Sequence, residues 1–343
     1  MNKKLTKLNE RPELAKSEIV KGMPQVCGNE LLAVEFFETQ RWGNAPRCPH
    51  CKGADVYKMT DKNGGRNKRY LWRCRDCAEQ YTVRIGTVYE ESRLPLRHWA
   101  YAFWRACSSK KCVSALEIQR QCQISYKSAL FLMHRIRFAL KENETPETPK
   151  LGGGNLPAVE VDETYVGGKP TPLLRSKQVA GKGYRKDSNK IPVVAAIERG
   201  SIVRTKVVPQ VTAKNLSQFL EDNISKGATV NTDQAKLYPS VLFPIVKWRG
   251  GKHEIVNHSV KEYARANPDG SVAHVNHCES FFSLLKRGLM GTFHCVSKEH
   301  LHRYCDEFSF RWNTSRLNDG DRLVSAIKNA EGKRLLYADA IAA

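Results

Sequence analysis

Two pairs of cysteines in the first quarter of the chain have a spacing that indicates metal binding. Cys48 and Cys51 form one CxxC pair, Cys74 and Cys77 form another, and 22 residues separate the pairs. Zn²⁺ prefers four soft ligands in a tetrahedron, and a CxxC turn lets two thiolates converge on one ion. A hairpin with the basic tip KNGGRNKR would bring the second pair to the first. The spacing predicts a zinc ribbon with a structural site; the alternatives are two metal-free cysteine knuckles, and His50 as a ligand.

Three carboxylates in the second half of the chain have the chemistry of a different metal site. Asp162 and Asp233 end two strand-like runs, AVEVD and TVNTD, and Glu279 begins the helix-like run ESFFSLLKRGLM. Two-metal phosphoryl transfer needs several carboxylates around the ions, and Mg²⁺ prefers such hard oxygen ligands. Lys286 follows Glu279 by seven positions, so one helix face carries a carboxylate for metal and a cation for DNA phosphate. Each acid alone is equally consistent with a turn, a cap or a first helical turn.

Two further acids flank Asp162 and compete with it for the same assignment. Side chains alternate between the two faces of a regular strand, so Glu160 shares a face with Asp162. Glu163 then points to the opposite face. The alternation alone does not decide which of these acids binds metal.

The charge of the chain predicts a polyanionic partner. The 343 residues include 56 Lys and Arg against 35 Asp and Glu, a net charge of +21, and each phosphate that such a surface neutralises releases counterions. The alternative is a basic protein kept soluble by its charge. Eleven cysteines, an odd number, indicate a reducing compartment. Because the N-terminus lacks the apolar core of a signal peptide and no run approaches about 20 apolar residues, we expect a soluble, intracellular protein.

A helical region follows the cysteine pairs and predicts a DNA-binding segment. Apolar residues recur at three- and four-residue spacing from Leu96 to Lys141, with two short helices around a polar turn after Val113. Ser125 is a candidate N-cap of the second helix. This pattern resembles a helix-turn-helix, whose second helix enters the major groove; the alternative is a helical hairpin with solvated charges. The polar and basic side chains that the second helix would present to DNA are Tyr126, Lys127, His134, Arg135 and Arg137.

Composition and periodicity divide the chain into six predicted segments. These are an N-terminal helical segment (1–43), the zinc ribbon (44–92), the helix-turn-helix segment (93–145), a Pro/Gly-rich linker (146–157), a catalytic domain (158–325) and a C-terminal tail (326–343). A polar, basic loop at 171–190 interrupts the strands of the catalytic domain and is a further candidate for gripping DNA.

In combination, these motifs resemble the DDE transposases of the zinc-ribbon insertion-sequence group called the ISXO-like family. The resemblance covers residues 30–320 and is carried by the four cysteines, VDETYVGGK (161–169), TDQ (232–234), HVNHCESFFSLLKRG (274–288), HLHRY (300–304) and EFSFRWN (307–313). It implies an α/β fold, namely an RNase H-like catalytic core with a mixed sheet flanked by helices, preceded by the zinc ribbon and the helix-turn-helix.

The resemblance also implies the roles of individual residues. Asp162, Asp233 and Glu279 correspond to the metal-binding triad, and Lys286 to the basic residue that follows the Glu in this motif. Some members of the group have Asn as the third ligand, which makes Asn276, one helical turn before Glu279, the alternative. Lys286 and the adjacent Arg287 are expected to contact DNA.

The function that follows from the resemblance is DNA transposition. The protein would cleave at the ends of its insertion sequence with two Mg²⁺ ions, or with Mn²⁺ as their substitute, and join the freed 3′-OH to target DNA. Its partners would be the terminal inverted repeats, target DNA and further copies of the chain, at least as a dimer, in the cytoplasm at the bacterial nucleoid. The alternatives are a metal-dependent nuclease or resolvase without strand transfer, and a non-catalytic DNA-binding regulator derived from a transposase.

Overall fold

The computed structural model describes most of the chain. The described residues are 18–143, 145, 147–153, 158–167, 190–235, 237–246, 251–260 and 262–341. The first 17 residues, part of the predicted linker, Gly168 and Lys169 of the family motif and nearly all of the predicted basic loop (171–190) lie outside them. The chain forms two compact units, Met1–Asn143 with Thr314–Ala343, and Glu144–Asn313.

Eleven helices and ten strands are assigned in the described residues. The helices are α1 (Glu18–Gly28), α2 (Glu30–Trp42), α3 (Leu96–Ser108), α4 (Ala115–Cys122), α5 (Tyr126–Leu140), α6 (Ala213–Asn223), α7 (Tyr238–Val246), α8 (Asn276–Gly288), α9 (Leu301–Asn313), α10 (Asp319–Lys328) and α11 (Tyr337–Ile341). The strands are β1 (Val56–Lys58), β2 (Trp72–Cys74), β3 (Gln80–Tyr81), β4 (Val159–Val166), β5 (Ile191–Glu198), β6 (Val203–Val207), β7 (Thr229–Asp233), β8 (Lys252–Val256), β9 (Arg265–Ala266) and β10 (Val272–Ala273). None of the helices in this part of the chain combines the length and apolarity that crossing a bilayer requires.

The first unit is a helical core to which the last helices of the chain return. The amphipathic helix α3 buries Trp99 and Phe103, which pack in an aromatic cluster with Phe37 and Tyr89. Helix α10 packs on α2 and α3, and Arg322 of α10 donates to the carbonyl of Cys107 at 3.0 Å. Residues 314–325 therefore lie in this unit, although the sequence assigns them to the catalytic domain.

Helices α4 and α5 are the two helices that the sequence predicts around a polar turn. Gln123 adopts a left-handed conformation (φ 53°) that ends α4, and its backbone N–H donates to the carbonyl of Gln119. The Ser125 hydroxyl accepts a hydrogen bond from the backbone N–H of Ser128 at 3.1 Å, which confirms the predicted N-cap. The short polar segment between the two helices thus defines both the end of α4 and the start of α5.

The second unit is built on a five-stranded mixed sheet with the order β6-β5-β4-β7-β8. Strands β4, β5 and β6 are antiparallel neighbours, and β7 and β8 run parallel to β4. Alternate side chains such as Val159, Val161 and Val194 form a buried core with Phe219 of α6 and Leu242 of α7. Helix α8 packs on β4, and α9 packs on β6. The predicted α/β class, with a mixed sheet flanked by helices, is therefore confirmed.

Candidate zinc centre and carboxylate site

Two similar backbone turns hold the four cysteines of the predicted ribbon. Lys52 and Ala78 each follow the first cysteine of a pair by four positions, and both have a left-handed backbone (φ 64° and 62°). In the first turn, the backbone N–H of Lys52 donates to the carbonyl of Cys48 at 2.9 Å. In the second, the N–H of Cys74 donates to the carbonyl of Glu79 at 3.0 Å. Each turn reverses the chain so that both sulfurs of a pair point the same way.

The four sulfurs have the separations that a tetrahedral zinc ion requires. The Cys48 and Cys77 Sγ atoms lie 3.7 Å apart, the Cys51 and Cys74 Sγ atoms lie 3.6 Å apart, and all four lie within 4.8 Å of one another. A Zn–S distance near 2.3 Å gives sulfur–sulfur edges of about 3.8 Å in a tetrahedron. Among the described residues, the group of ligand atoms at this point consists of the four cysteine sulfurs and does not include His50. Four thiolates leave no open position, so a structural Zn²⁺ site is supported here.

The hairpin between the cysteine pairs is anchored on α2. At its tip, the Asp61 carboxylate accepts from the backbone N–H groups of Asn63 and Gly65, both at 2.9 Å, and so closes the turn. At its base, the buried Glu38 of α2 accepts from the Trp72 indole N–H at 2.7 Å and pairs with Arg66. The ribbon thus shares contacts with the helical core of its unit. The basic side chains that remain exposed at the tip are Lys62, Lys68 and Arg69.

The strand register brings Asp162 and Asp233 side by side. Strands β4 and β7 are parallel, with Val159 opposite Val230 and Glu160 opposite Asn231. The same register, continued, places Asp162 beside Asp233, and neighbouring strands lie about 4.8 Å apart. Strand β7 ends at Asp233, as expected, whereas β4 continues through Asp162 to Val166, so Asp162 is held in the middle of a strand.

The third predicted carboxylate is close enough to act on the first electrostatically. Burial and the charge of Asp233, with smaller contributions from Glu163 and Glu279, raise the pKa of Asp162 to about 7. Glu279 lies in the first turn of α8, which begins at Asn276, three residues earlier than predicted. The Glu279 Oε1 atom is 3.5 Å from His258 Nδ1. Like charges that gather in a partly buried site favour binding of a cation.

The acids that flank Asp162 have other partners. Glu163 accepts a hydrogen bond from the hydroxyl of the buried Tyr238 of α7, and burial raises the pKa of Glu163. Glu160 is fully buried on the α8 side, where its carboxylate accepts from the His277 backbone N–H at 2.8 Å. The two side chains therefore leave β4 on opposite faces, as the alternation predicts.

The remaining predicted site residues of α8 are exposed. Lys286 follows Glu279 by two turns on the same helix, and Arg287 donates from its Nε to the carbonyl of Ser283 at 3.2 Å. Asn276 is exposed at the start of the helix. Cys278, between the site residues, is buried and donates from its sulfur to the Glu160 carbonyl at 3.3 Å, and burial raises its pKa.

Helix α5 differs from the predicted DNA-facing helix. Tyr126 and Lys127 are exposed at its start, but His134, Arg135 and Arg137 are buried, with relative exposures of 4, 5 and 1%. The Arg135 guanidinium donates to the carbonyl of Glu90 and covers the rings of Trp99 and Phe131. This placement corrects the prediction that these three side chains lie on a DNA-facing surface. The reason is that the second half of α5 is buried around most of its circumference, so its polar residues are buried together with apolar neighbours such as Met133 and Ile136.

Comparison with known proteins assigns a family to each of the two parts of the chain that carry these clusters. Residues 150–313 match the ISXO2-like transposase domain, and residues 28–80 match the transposase zinc-ribbon domain. A protein of Halobacterium salinarum, described as an uncharacterized protein in transposable element ISH50, is 28% identical over 312 residues, which cover 88% of this chain and 97% of the relative. The carboxylate-bearing α/β unit and the ribbon are thus both transposase domains. Residues 150–313 therefore belong to the ISXO2-like transposase domain family, and residues 28–80 to the transposase zinc-ribbon family.

The raised pKa of Asp162 predicts a gain in stability when its charge is removed. An aspartate titrates near 3.8 in the unfolded chain but at about 7 here, so the unfolded state loses the proton first and stability falls as the pH rises between these values. We expect Asp162→Asn, without Mg²⁺, to be more stable than the parent at pH 8 by on the order of 2 kcal/mol, and by less at pH 5.5. Urea unfolding of zinc-loaded protein measures this difference.

Added Mg²⁺ provides the internal control for that measurement. A divalent cation stabilises the ionised parent but binds weakly to the variant, which lacks one carboxylate. Mg²⁺ should therefore reduce the difference in the free energy of unfolding between the variant and the parent at pH 8. A variant that is no more stable than the parent at pH 8 without Mg²⁺ contradicts the clustering of carboxylates.

Proposed function

We propose that this protein is a DDE-type transposase that cleaves at the ends of its insertion sequence and joins the freed 3′-OH to target DNA. The observation that carries the proposal is the convergence of Asp162, Asp233 and Glu279 in a domain of the transposase family. The sheet also supports an RNase H-like core, because its antiparallel part continues into two parallel strands and two of the carboxylates lie on the central strand and its parallel neighbour.

The donor set fits hard divalent cations. Asp162, Asp233 and Glu279 offer carboxylate oxygens, and burial together with their mutual repulsion raises the pKa of Asp162, so Mg²⁺ or Mn²⁺ would be held by these three residues. When bound, two such ions supply Lewis acidity to the phosphate and lower the pKa of the attacking hydroxyl. Asp162, which lies in the middle of the central strand, would hold these ions at a rigid point of the sheet.

The positively charged side chains of α8 complete the proposed site. Lys286 is exposed on α8, two helical turns after Glu279. Its ammonium group would bind a DNA phosphate. Arg287 would bind a neighbouring phosphate. These contacts would hold the DNA end while Asp162, Asp233 and Glu279 face the scissile bond.

Recognition of the element ends would fall to the first unit. The hairpin of α4 and α5 has the order and the tight turn of a helix-turn-helix, and Tyr126 and Lys127 are exposed at the start of α5, where recognition helices contact base edges. The basic tip of the ribbon would contact the DNA backbone, in keeping with the net charge of +21. Because transposition must pair two ends, we expect a dimer or a larger assembly on DNA, at the nucleoid.

One assay separates this function from its alternatives. The DNA that flanks the coding region supplies the inverted repeats, and a labelled oligonucleotide with one repeat is incubated with plasmid DNA and Mg²⁺. Joining of the label to plasmid is the expected result. Cleavage without joining indicates a nuclease or resolvase instead, and binding without cleavage indicates a DNA-binding regulator.

Substitutions at the start of α8 identify the third ligand. We expect Glu279→Gln to lower cleavage by about 10²-fold or more, because loss of one charged ligand weakens metal binding and stabilisation of the transition state. Asn276→Ala, at an exposed position one turn earlier on the same helix, should lower cleavage by less than about tenfold. Rates of cleavage at saturating Mg²⁺ compare the two. The opposite order of effects would assign the metal to Asn276.

A further inference from the structure

The buried carboxylate of Glu160, on the same strand as Asp162, accepts three hydrogen bonds. Glu160 has no exposed surface, and its Oε1 atom accepts from the Arg199 Nε at 2.8 Å and from the His277 Nδ1 at 2.8 Å. The His274 Nδ1 lies 3.0 Å from the same oxygen. The other oxygen, Oε2, accepts from the backbone N–H of His277 at 2.8 Å. Glu160 therefore contacts the first turn of α8 through both oxygens.

Two more side chains of the sheet hold the segment that leads into α8. Arg199, directly after β5, donates to the carbonyl of Val272 at 2.6 Å and to the carbonyl of His274 at 3.1 Å. Asn231 of β7 donates from its side-chain amide to the same His274 carbonyl at 3.3 Å. Strands β4 and β7 and the end of β5 thus all contribute to one anchor, composed of Glu160, Arg199 and Asn231.

The anchor and the carboxylates occupy equivalent positions on the two parallel strands. Glu160 and Asn231 are opposite each other in the ladder. Each precedes an acid of the site by two positions, Asp162 on β4 and Asp233 on β7, and a period of two places them on the same face. The face of the sheet that carries two carboxylates therefore also holds the helix that carries the third.

We infer that Glu160 is a positioning residue, which fixes the start of α8 so that Glu279 meets Asp162 and Asp233. The inference rests on the proposed function for the role of Glu279 as a ligand. Glu160 acts through hydrogen bonds to Arg199 and to the His277 backbone, and it does not touch the reacting phosphate. Charge-assisted bonds of this kind are short and strong in a buried setting, which suits them to hold a helix end in place.

The same atoms invite a different assignment, as a metal site. The ligand atoms of Glu160, His274 and His277 lie within 4.8 Å of one another. However, the Arg199 Nε is 2.8 Å from the oxygen that both imidazoles approach, so a guanidinium already supplies the positive charge there. A metal ion at this point would lie against that guanidinium, and like charges in a buried site repel strongly. The contacts therefore favour a hydrogen-bonded anchor.

The substitution Glu160→Gln tests the anchor with little change of shape. The Arg199 Nε donates to one oxygen and the His277 backbone N–H to the other, so the N–H₂ group of a glutamine amide removes one of these two hydrogen bonds. Partners of metal ligands typically change metal affinity or activity by about 10- to 100-fold when they are removed. We expect the Mn²⁺ concentration for half-maximal cleavage to rise by about that factor, with the affinity for repeat DNA unchanged. Arg199→Lys keeps the charge but loses the forked contacts, and should shift the Mn²⁺ requirement in the same direction.

Hydrogen exchange on the full chain gives a readout that does not depend on activity. Amide exchange of the peptide 272–281 should accelerate at least about tenfold in Glu160→Gln and in Arg199→Lys. Glu198→Gln is the matched control: Glu198 is also buried, but its carboxylate accepts from the Gly152 N–H, so exchange in this peptide should not change. Unchanged exchange in both anchor variants, or loss of a second equivalent of zinc from Glu160→Gln, overturns the inference. If the parent protein neither cleaves nor joins DNA, the proposed function fails, and exchange still decides the anchor.

Discussion

We expect Asp162→Asn to abolish cleavage and joining of DNA, with a loss of at least about 10³-fold in rate, or about 4 kcal/mol of activation free energy. Asp162 lies in the middle of the central strand and beside Asp233, and in the proposed function its carboxylate would hold the divalent cations. The amide is nearly isosteric but carries no charge, and it cannot take over that role. Single-turnover cleavage of a labelled repeat oligonucleotide measures the loss.

The control for this variant is an aspartate of the same unit outside the site. Asp222, in α6, accepts from the Gln218 amide at 2.8 Å and lies 3.8 Å from the Lys206 ammonium, on an exposed surface. Asp222→Asn should cleave at the parental rate. Since Asp162→Asn is also expected to be more stable than the parent, inactivity cannot be attributed to unfolding. An Asp162→Asn protein that still joins ends to plasmid would remove Asp162 from the active site.

The second large effect is expected at the zinc ribbon. Cys74→Ser should lose zinc and unfold the ribbon, because the free energy of binding structural zinc, roughly 10–16 kcal/mol in small zinc domains, is at the same time the free energy of folding. Cys74 lies at the end of β2, next to Trp72, which packs edge-on against Trp42 at 5.4 Å between ring centroids. Loss of the ribbon should therefore abolish the near-ultraviolet dichroism of these two indoles. Bound zinc, measured by mass spectrometry of metals, should fall to near zero.

A cysteine outside the cluster shows whether the effect is specific. Cys27, at the end of α1, is partly buried and is not part of the four-sulfur cluster. Cys27→Ser should retain zinc at the parental level and keep the indole dichroism. A Cys74→Ser protein that binds as much zinc as Cys27→Ser would show that the cysteine pairs do not form the metal site.

The ribbon could be predicted from the sequence because its determinants are local. Each CxxC pair closes its own turn, and the left-handed residues Lys52 and Ala78 repeat the same geometry. The carboxylate site, in contrast, could not be predicted fully from local sequence patterns. Asp233 was correctly placed at a strand end, but Asp162 was not, because the strand β5 that pairs with the whole length of β4 begins far beyond it in the sequence. The alternation of side chains along β4 did predict that Glu160 and Glu163 lie on opposite faces of the strand.

Two features of the fold could not be read from local patterns. The burial of Arg135 and Arg137 depends on the packing of the first unit around α5, and the charged side chains alone indicated a solvent-facing surface. The role of Glu160 depends on Arg199 and on His277, which is 117 positions away in the sequence. The sequence did show that an acid, Glu160, precedes Asp162 by two positions. That pattern alone suggested only that Glu160 competes with Asp162 as a metal ligand.

The first unit is assembled from both ends of the chain, which imposes an order on its synthesis. Arg322 donates to the Cys107 carbonyl, the Val88 N–H donates to the Ala330 carbonyl, and Thr87 forms a bridge with Glu331. A ribosome has therefore translated the entire carboxylate-bearing unit before the ribbon-bearing unit receives its last helices. A nascent chain interrupted near residue 313 would contain the whole carboxylate-bearing unit and still lack α10 and α11, so premature termination would leave the ribbon-bearing unit without its last two helices.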